Sequence, residues 1–350
     1  MRSSWIEVDL NIIRKNLAAI RSALNERTKL LATVKGDAYG HGAVTVSREL
    51  SRLGVDGFGV AFAEEGVELR ENGIEEPILI YGRTFSDSYK LLFDYGLMPN
   101  IFDWQDAKEL NDEAVLRGTK LKAHISIDTG LHRLGFNCDG KVKETVKAIA
   151  DLPGLEEEGI FSMMSNSRIR SACAADDEKI CRRQYEKMIT LRAELEADGY
   201  FIPTWHIADS AAALLLPYSQ LDMVRIGSAM FGAWITDLPH GDINLQAAMS
   251  VHSRLACIRT LPRGEAVGYN GSFVTDKETV IGVVPFGTVD GISGRASGNG
   301  YVLLHGCKCP IIGDACMDQI IIDISAVNDP QIGDEVILIG RQGQAELSAA

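Results

Sequence analysis

From about residue 11 to residue 230, short apolar runs alternate with longer stretches of helical periodicity, the signature of repeated βα units that build a parallel sheet. Eight runs read as strands: Leu30–Val34, Gly57–Ala61, Ile78–Tyr81, Met98–Ile101, Lys122–Ile127, Gly159–Met163, Thr204–Ile207 and Met223–Ile226. Helical stretches such as Asp176–Ala197 separate them. Eight such units predict an α/β TIM barrel. After about Ala233 the pattern changes to β-branched runs broken by Gly, Pro and Asp, as in Thr279–Pro285, Tyr301–His305, Cys309–Ile312 and Gln319–Ile324. That pattern predicts a separate C-terminal all-β domain. The expected division is a barrel over residues 1–234 and a β domain over 235–350. Within the first ten residues, the alternating run Trp5–Leu10 is a candidate partner for the β domain.

A chain of 350 residues exceeds the size at which one hydrophobic core usually stops growing, which agrees with two domains. Its charge of -13 at pH 7 repels phosphate backbones and anionic lipid surfaces, so nucleic acid is not expected as a partner. Seven cysteines, an odd number set among apolar or helical residues, do not read as a disulfide framework and point to a reducing cytoplasm. No run approaches the roughly 18 apolar residues that span a bilayer, and the start lacks a secretory apolar region. A soluble chain is expected.

The unusual polar residues cluster where barrel enzymes keep their sites, just after the strands. Lys35, in Val34–Gly42, follows the first strand. An exposed lysine is a poor base at pH 7, whereas a desolvated one can form a Schiff base with an aldehyde cofactor. From position alone, a solvated lysine at a strand end is the more frequent case. Asp128–Phe136 follows the fifth strand, His206–Ser210 the seventh, and Arg225, Gly227 and Ser228 close the eighth. Loops after strands seven and eight tend to bind phosphate, a role that suits Ser210 and the amides around Gly227. Ser210 serves equally well as a helix N-cap, and Arg225 as a structural ion-pair partner. His41, His124, His132 and His206 show no metal-binding spacing, and Cys307-Lys-Cys309 alone is not a zinc site, so no metal is expected. Gly57-Phe-Gly59 lacks the third glycine of a dinucleotide fingerprint.

Taken together, Val34–Gly42, Asp128–Phe136, His206–Ser210, Val224–Gly232, Gly264–Tyr269 and Cys316–Gln319 resemble the alanine racemase family, fold-type III enzymes that use pyridoxal 5′-phosphate. The resemblance covers nearly the whole chain, and six motifs in family order are specific where one would not be. The wording Gly159-Ile-Phe-Ser and Leu131-His132-Arg133 is similar to Gram-positive members, including the racemase part of the serine/alanine racemases of vancomycin resistance. The resemblance implies an isomerase that interconverts L- and D-alanine, with serine a second candidate. In it Lys35 carries the cofactor and moves a proton on one face of the substrate, and Tyr269 of the other subunit works on the opposite face. Arg225 faces the pyridine nitrogen with His206 behind it, and Tyr39, Ser210, Gly227 and Ser228 form the phosphate cradle. Arg133 holds the substrate carboxylate, and Met317 and Asp318 enter the neighbouring subunit's pocket. Function then requires a homodimer with shared active sites.

Four departures from the family pattern stand out. Ser126 occupies a position where many members carry a carbamylated lysine that braces the arginine corresponding to Arg133, so an anion such as chloride, or water, is the natural substitute. Met163 replaces a histidine lying against the cofactor ring, and Thr288 replaces a pocket tyrosine. The sequence also stops at Ala350, before a segment that in the family carries a further phosphate-binding residue. A degenerate homologue that binds the cofactor without turnover is therefore the alternative. Retention of Lys35 and Tyr269 favours turnover.

Overall fold

A computed structural model describes residues 3–233, 243–293 and 298–348. It divides into two compact units, Leu10–Gln246 on the one hand and Met1–Asp9 with Ala247–Ala350 on the other. The expected boundary at 234/235 lies outside the described residues.

The first unit is an α/β barrel. Its strands are β2 (Lys29–Thr33), β3 (Gly57–Val60), β4 (Ile78–Ile80), β5 (Asn100–Ile101), β6 (Leu121–Asp128), β8 (Leu155–Phe161), β9 (Thr204–His206) and β10 (Met223–Ile226), with the short β7 (Phe136–Asn137) beside β6. They form two parallel sheets, in the orders β10-β2-β3-β4 and β5-β6-β8-β9. Backbone hydrogen bonds join the sheets at both edges. Ile80 N donates to Met98 O and Met98 N to Ile78 O at one seam, and Arg225 N donates to Ala208 O (3.0 Å) at the other. All eight expected strands are present. The sixth starts earlier than its apolar run suggested, because its first turns are Leu155-Glu-Glu-Glu158. Glutamates suit this position: Lys122 on neighbouring β6 pairs with Glu156 and Glu158. Leu31, Leu79, Met98, Phe161 and Met223 pack together inside the barrel. Among the described residues no helix is long and apolar enough to cross a membrane.

The second unit is an antiparallel β structure. Strands β1 (Trp5–Val8), β11 (Met249–Arg254), β12 (Cys257–Leu261), β15 (Thr279–Val284), β16 (Tyr301–Leu304), β17 (Cys307–Ile312), β18 (Ile320–Asp323), β19 (Glu335–Gln342) and β20 (Ala345–Leu347) make one sheet, and β13 (Ala266–Val267) with β14 (Phe273–Val274) a small hairpin. Trp5–Val8 pairs antiparallel with β11 in the register Trp5↔His252 to Val8↔Met249. The core of the unit is aliphatic, with Leu255, Val302, Ile311, Ile322 and Val336 all buried.

Candidate active site

The C-terminal ends of the barrel strands surround a cavity of about 290 Å³. Lys35, Tyr39, Arg133, Ser210, Arg225, Gly227 and Ser228 all line it. His206 stands behind, bonded to Arg225.

Lys35 leaves β2 at a sharp left-handed turn in which Gly36, Asp37, Ala38 and Tyr39 all have φ between 52° and 61°. Only glycine adopts this conformation freely, so three non-glycine residues in succession mark a segment held by its surroundings. Asp37 Oδ1 accepts from Ala43 N at 2.6 Å, and Glu65 Oε1 accepts from Gly36 N at 2.6 Å. The turn carries Tyr39 back across the cavity mouth. Burial holds the Lys35 ammonium below its ordinary pKa, and the Arg133 and Arg225 cations add to the effect.

Arg225 is fully buried within the strand layer, where a guanidinium needs acceptors. Nη1 donates to His206 Nδ1 at 2.8 Å, and Nη2 to Ser162 O at 2.7 Å and Ile207 O at 3.1 Å, with Met163 Sδ at 3.4 Å. Its partners are thus a neutral ring, carbonyls and a thioether, which replaces the ion-pair reading raised by its position. His206 is held well below its ordinary pKa by burial and by the adjacent Arg225.

The anion cradle has a specific construction. Asp209, one residue ahead of Ser210, is the N-cap of the helix Ser210–Leu215, its carboxylate accepting from Ala212 N. Ser210 is thereby released from the capping role that its sequence position allowed. Its Oγ accepts from Gly227 N at 2.9 Å, leaving its own O–H to donate. At Gly227 a Cβ would lie 2.6 Å from Tyr39 Oη, so the absence of a side chain lets the phenol close over this spot. Burial, Tyr81 and Asp209 push the Tyr39 phenol up to about 12, which keeps it a donor at neutral pH.

Arg133 is carried by a loop that Asp128 organises, with Oδ1 accepting from Gly130, Leu131 and His132 N. Thr129, bonded to Ser162 and Gln184, ties that loop to the helix Ala174–Ala197. The Ser126 hydroxyl and Asn100 Oδ1 are buried beside the same cavity with no hydrogen-bond partner among the described residues.

Several lining groups lay outside the motifs, namely Thr33, Tyr81, Asn100 and Arg168, and Asp209 lay inside His206–Ser210 without an assigned role. Thr33 and Tyr81 share a hydrogen bond of 2.9 Å across the cavity floor, and Gly59 supplies the room for Tyr81. Most of these are polar residues at or just past the ends of apolar barrel strands. That position was the available signal.

The other expected residues belong to the β unit. Tyr269 opens a turn, Tyr269–Gly271, flanked by Gly268, whose backbone lies against Gly313 and Asp314, and by Ser272, whose Oγ accepts from Asp314 N at 2.9 Å. Met317 O accepts from Val289 N at 3.0 Å, and Cys316 O from Thr288 N. Tyr269 and Met317 are exposed by 67% and 71%, and Asp318 is exposed as well.

A barrel with an activated lysine, a buried arginine and an anion cradle defines an enzyme able to hold an anionic aldehyde cofactor at its mouth. Comparison with known proteins narrows the class. The family described as "Alanine racemase, N-terminal domain" matches residues 8–234, and "Alanine racemase, C-terminal domain" matches 248–350. Alanine racemase 1 of Caldanaerobacter subterraneus subsp. tengcongensis is 39% identical over 348 residues, covering 99% of this chain and 88% of the relative. The alanine racemase of Thermodesulfovibrio yellowstonii is 38% identical over 349 residues, covering 98% and 90%. Among solved structures, an alanine racemase of Clostridium difficile 630 superposes with a TM-score of 0.92 at 31% identity, covering 99% and 89%. That of Bacillus anthracis with bound L-Ala-P gives 0.90 at 30%, covering 100% and 88%. The chain belongs to the alanine racemase family, whose members depend on pyridoxal phosphate.

Proposed function

We propose that the chain interconverts L- and D-alanine, with serine a second candidate substrate, by exchanging the α-proton between Lys35 on one face and Tyr269 on the other. The observation that carries this reading is the convergence of Lys35, Arg133, Arg225 and the Tyr39–Ser210–Gly227 cradle on one cavity. Pyridoxal phosphate, when bound, supplies the electron sink that allows the α C–H bond to ionise. Tyr39, Ser210, Gly227 and Ser228 would hold its phosphate, Arg225 its ring nitrogen with His206 behind, and Lys35 its aldehyde carbon.

The lowered pKa of Lys35 raises the fraction of neutral amine, which is the form needed both as nucleophile and as base. Arg225 stays protonated and can only donate, so it leaves a ring nitrogen unprotonated and moderates the sink. Arg133 presents a planar fork suited to a substrate carboxylate. Tyr269, with Met317 and Asp318 from neighbouring loops of the β unit, would be contributed by a second copy, making a homodimer with shared active sites the working unit. All seven cysteines are free thiols, which suits a reducing cytoplasm.

Borohydride reduction of the yellow holoenzyme should fix the label on Lys35, and incubation with L-alanine should yield D-alanine on chiral analysis. L-Serine in a parallel incubation ranks the two substrates. A label on another lysine would overturn the assignment, and cofactor bound without product would favour the homologue that lacks turnover.

A further inference from the structure

Two buried histidines inside the barrel have neighbours that assign their protons. A guanidinium only donates, so the 2.8 Å contact from Arg225 Nη1 makes His206 Nδ1 an acceptor. A neutral ring with an accepting Nδ1 carries its proton on Nε2. That nitrogen lies 3.0 Å from His124 Nδ1, which must accept in turn, so the proton of His124 sits on its own Nε2. Burial and the nearby Arg225 cation keep both rings neutral, holding His124 at about 3 and His206 well below its usual value.

The packing leaves little freedom for another arrangement. Phe161 stacks on His206 at 5.0 Å and 24°, while His124 meets the same ring edge-on at 5.1 Å and 80°. At Gly159 a Cβ would fall 2.6 Å from His124 Cε1 and 2.7 Å from Nδ1, so the strand beside this ring is kept bare. His124 does not line the cavity that contains Lys35. It lines a second cavity of about 540 Å³ with Lys29, Leu121, Thr204 and Met223, the first residues of β2, β6, β9 and β10. Every donor therefore runs one way, from Arg225 through His206 and His124 toward the opposite end of the barrel.

The geometry points to His124 as a positioning residue: by accepting from His206 Nε2 it selects the His206 tautomer that can accept from Arg225, and so holds the guanidinium in place under the cofactor cavity. Without that acceptor, His206 Nε2–H is a buried donor with no partner. Moving the proton to Nδ1 to relieve it would set donor against donor at Arg225. The effect on catalysis rests on the reading of Arg225 given above, whereas the tautomers do not.

Histidine ¹⁵N spectra of the cofactor-free protein at pH 7 should show both His124 and His206 protonated on Nε2. His124→Phe fills the space but removes the acceptor, whereas the amide oxygen of His124→Asn keeps one near the position of Nδ1. The phenylalanine variant should lose the single His206 tautomer and about 10- to 100-fold in kcat for alanine, with KM little changed. The asparagine variant should retain the tautomer and most of kcat. His206 protonated on Nδ1 in the wild type, or equal impairment of the two variants, would overturn the inference, and the wild-type spectrum decides whether or not the phenylalanine variant folds. Expected tautomers combined with an Arg225→Leu variant of unchanged cofactor affinity and rate would instead overturn the reading of Arg225.

Discussion

Replacing Gly227 with alanine would place a methyl carbon 2.6 Å from Tyr39 Oη and 3.3 Å from Thr33 Cβ. An unstrained carbon–oxygen contact needs roughly 3.3 Å, so the phenol must retreat by roughly 0.7 Å, more than the O–H···O window tolerates. The Tyr39 hydrogen bond to a bound phosphate is then lost. A hydrogen bond to a charged group contributes about 1.5–3 kcal/mol, which translates to about 10- to 100-fold in the dissociation constant for pyridoxal phosphate. The displaced atom is the free end of a side chain that is 42% exposed, so the fold can absorb the shift. The unfolding free energy should change by less than about 1 kcal/mol. Cofactor-free Gly227→Ala titrated with pyridoxal phosphate and followed by absorbance gives the first quantity, and urea unfolding the second. An unchanged dissociation constant would refute the cradle, and a collapse of stability of several kcal/mol would show that Gly227 serves packing instead.

Three further outcomes are expected. Tyr269→Phe should keep cofactor and fold but lose about 10²–10⁴-fold in racemisation, with solvent deuterium still exchanging into the α-position on the Lys35 face; near wild-type rates in both directions would remove Tyr269 from the reaction. Because His124 and His206 are neutral in the fold yet protonate in the unfolded chain below about pH 6.5, their stabilising effect is complete above that pH and is lost as pH falls, at about 1.4 kcal/mol per unit for each. Asp106, pushed up to about 6 by burial, acts in the opposite sense because it binds its proton in the folded state. His124→Asn should therefore unfold with a pH dependence reduced by an average of about half a proton between pH 7.5 and 5.5, approaching one proton only near pH 5.5, and equal slopes would contradict a neutral His124. Ser126→Ala removes a buried hydroxyl that has no partner among the described residues and should cost no stability in chemical denaturation; a loss above about 1 kcal/mol would mean that the hydroxyl is hydrogen-bonded in solution.

The barrel was legible because each strand is a short apolar run followed by a helix, and because site residues fall immediately after those runs. That rule drew attention to Lys35 and Ser210, whose roles came from the family resemblance, whereas Arg225 lies inside the strand Met223–Ile226. The rule failed where polar residues sit inside a strand. Leu155–Glu158 hides three glutamates in β8 that a cross-strand lysine makes acceptable, and Met249–Arg254, Met-Ser-Val-His-Ser-Arg, carries too many polar residues to read as a buried run. His124 was weighed only as a metal ligand. Its bond to His206 spans 82 positions and joins β6 to β9, which are not adjacent in the sheet, so no local pattern reports it. The role of Ser210 was likewise ambiguous, since it could cap the helix; the structure gives that cap to Asp209 and sets Ser210 on the amide of Gly227.

The strand Trp5–Val8 belongs to a sheet whose other members come from the end of the chain, and Ser4 Oγ meets Ser253 Oγ at 2.9 Å across 249 positions. During synthesis this strand emerges well before the one it pairs with, which follows tens of seconds later at roughly 5–20 residues per second. Barrel strands, by contrast, are contiguous in sequence and, among the described residues, pair only with one another. The nascent chain thus carries an unpaired strand edge until Met249–Arg254 has emerged, a natural site for chaperone capture or for mispairing with a neighbouring ribosome's product. Trimming the first nine residues, or fusing a bulky tag directly to them, should injure the distant β unit and spare the barrel to which they are covalently joined.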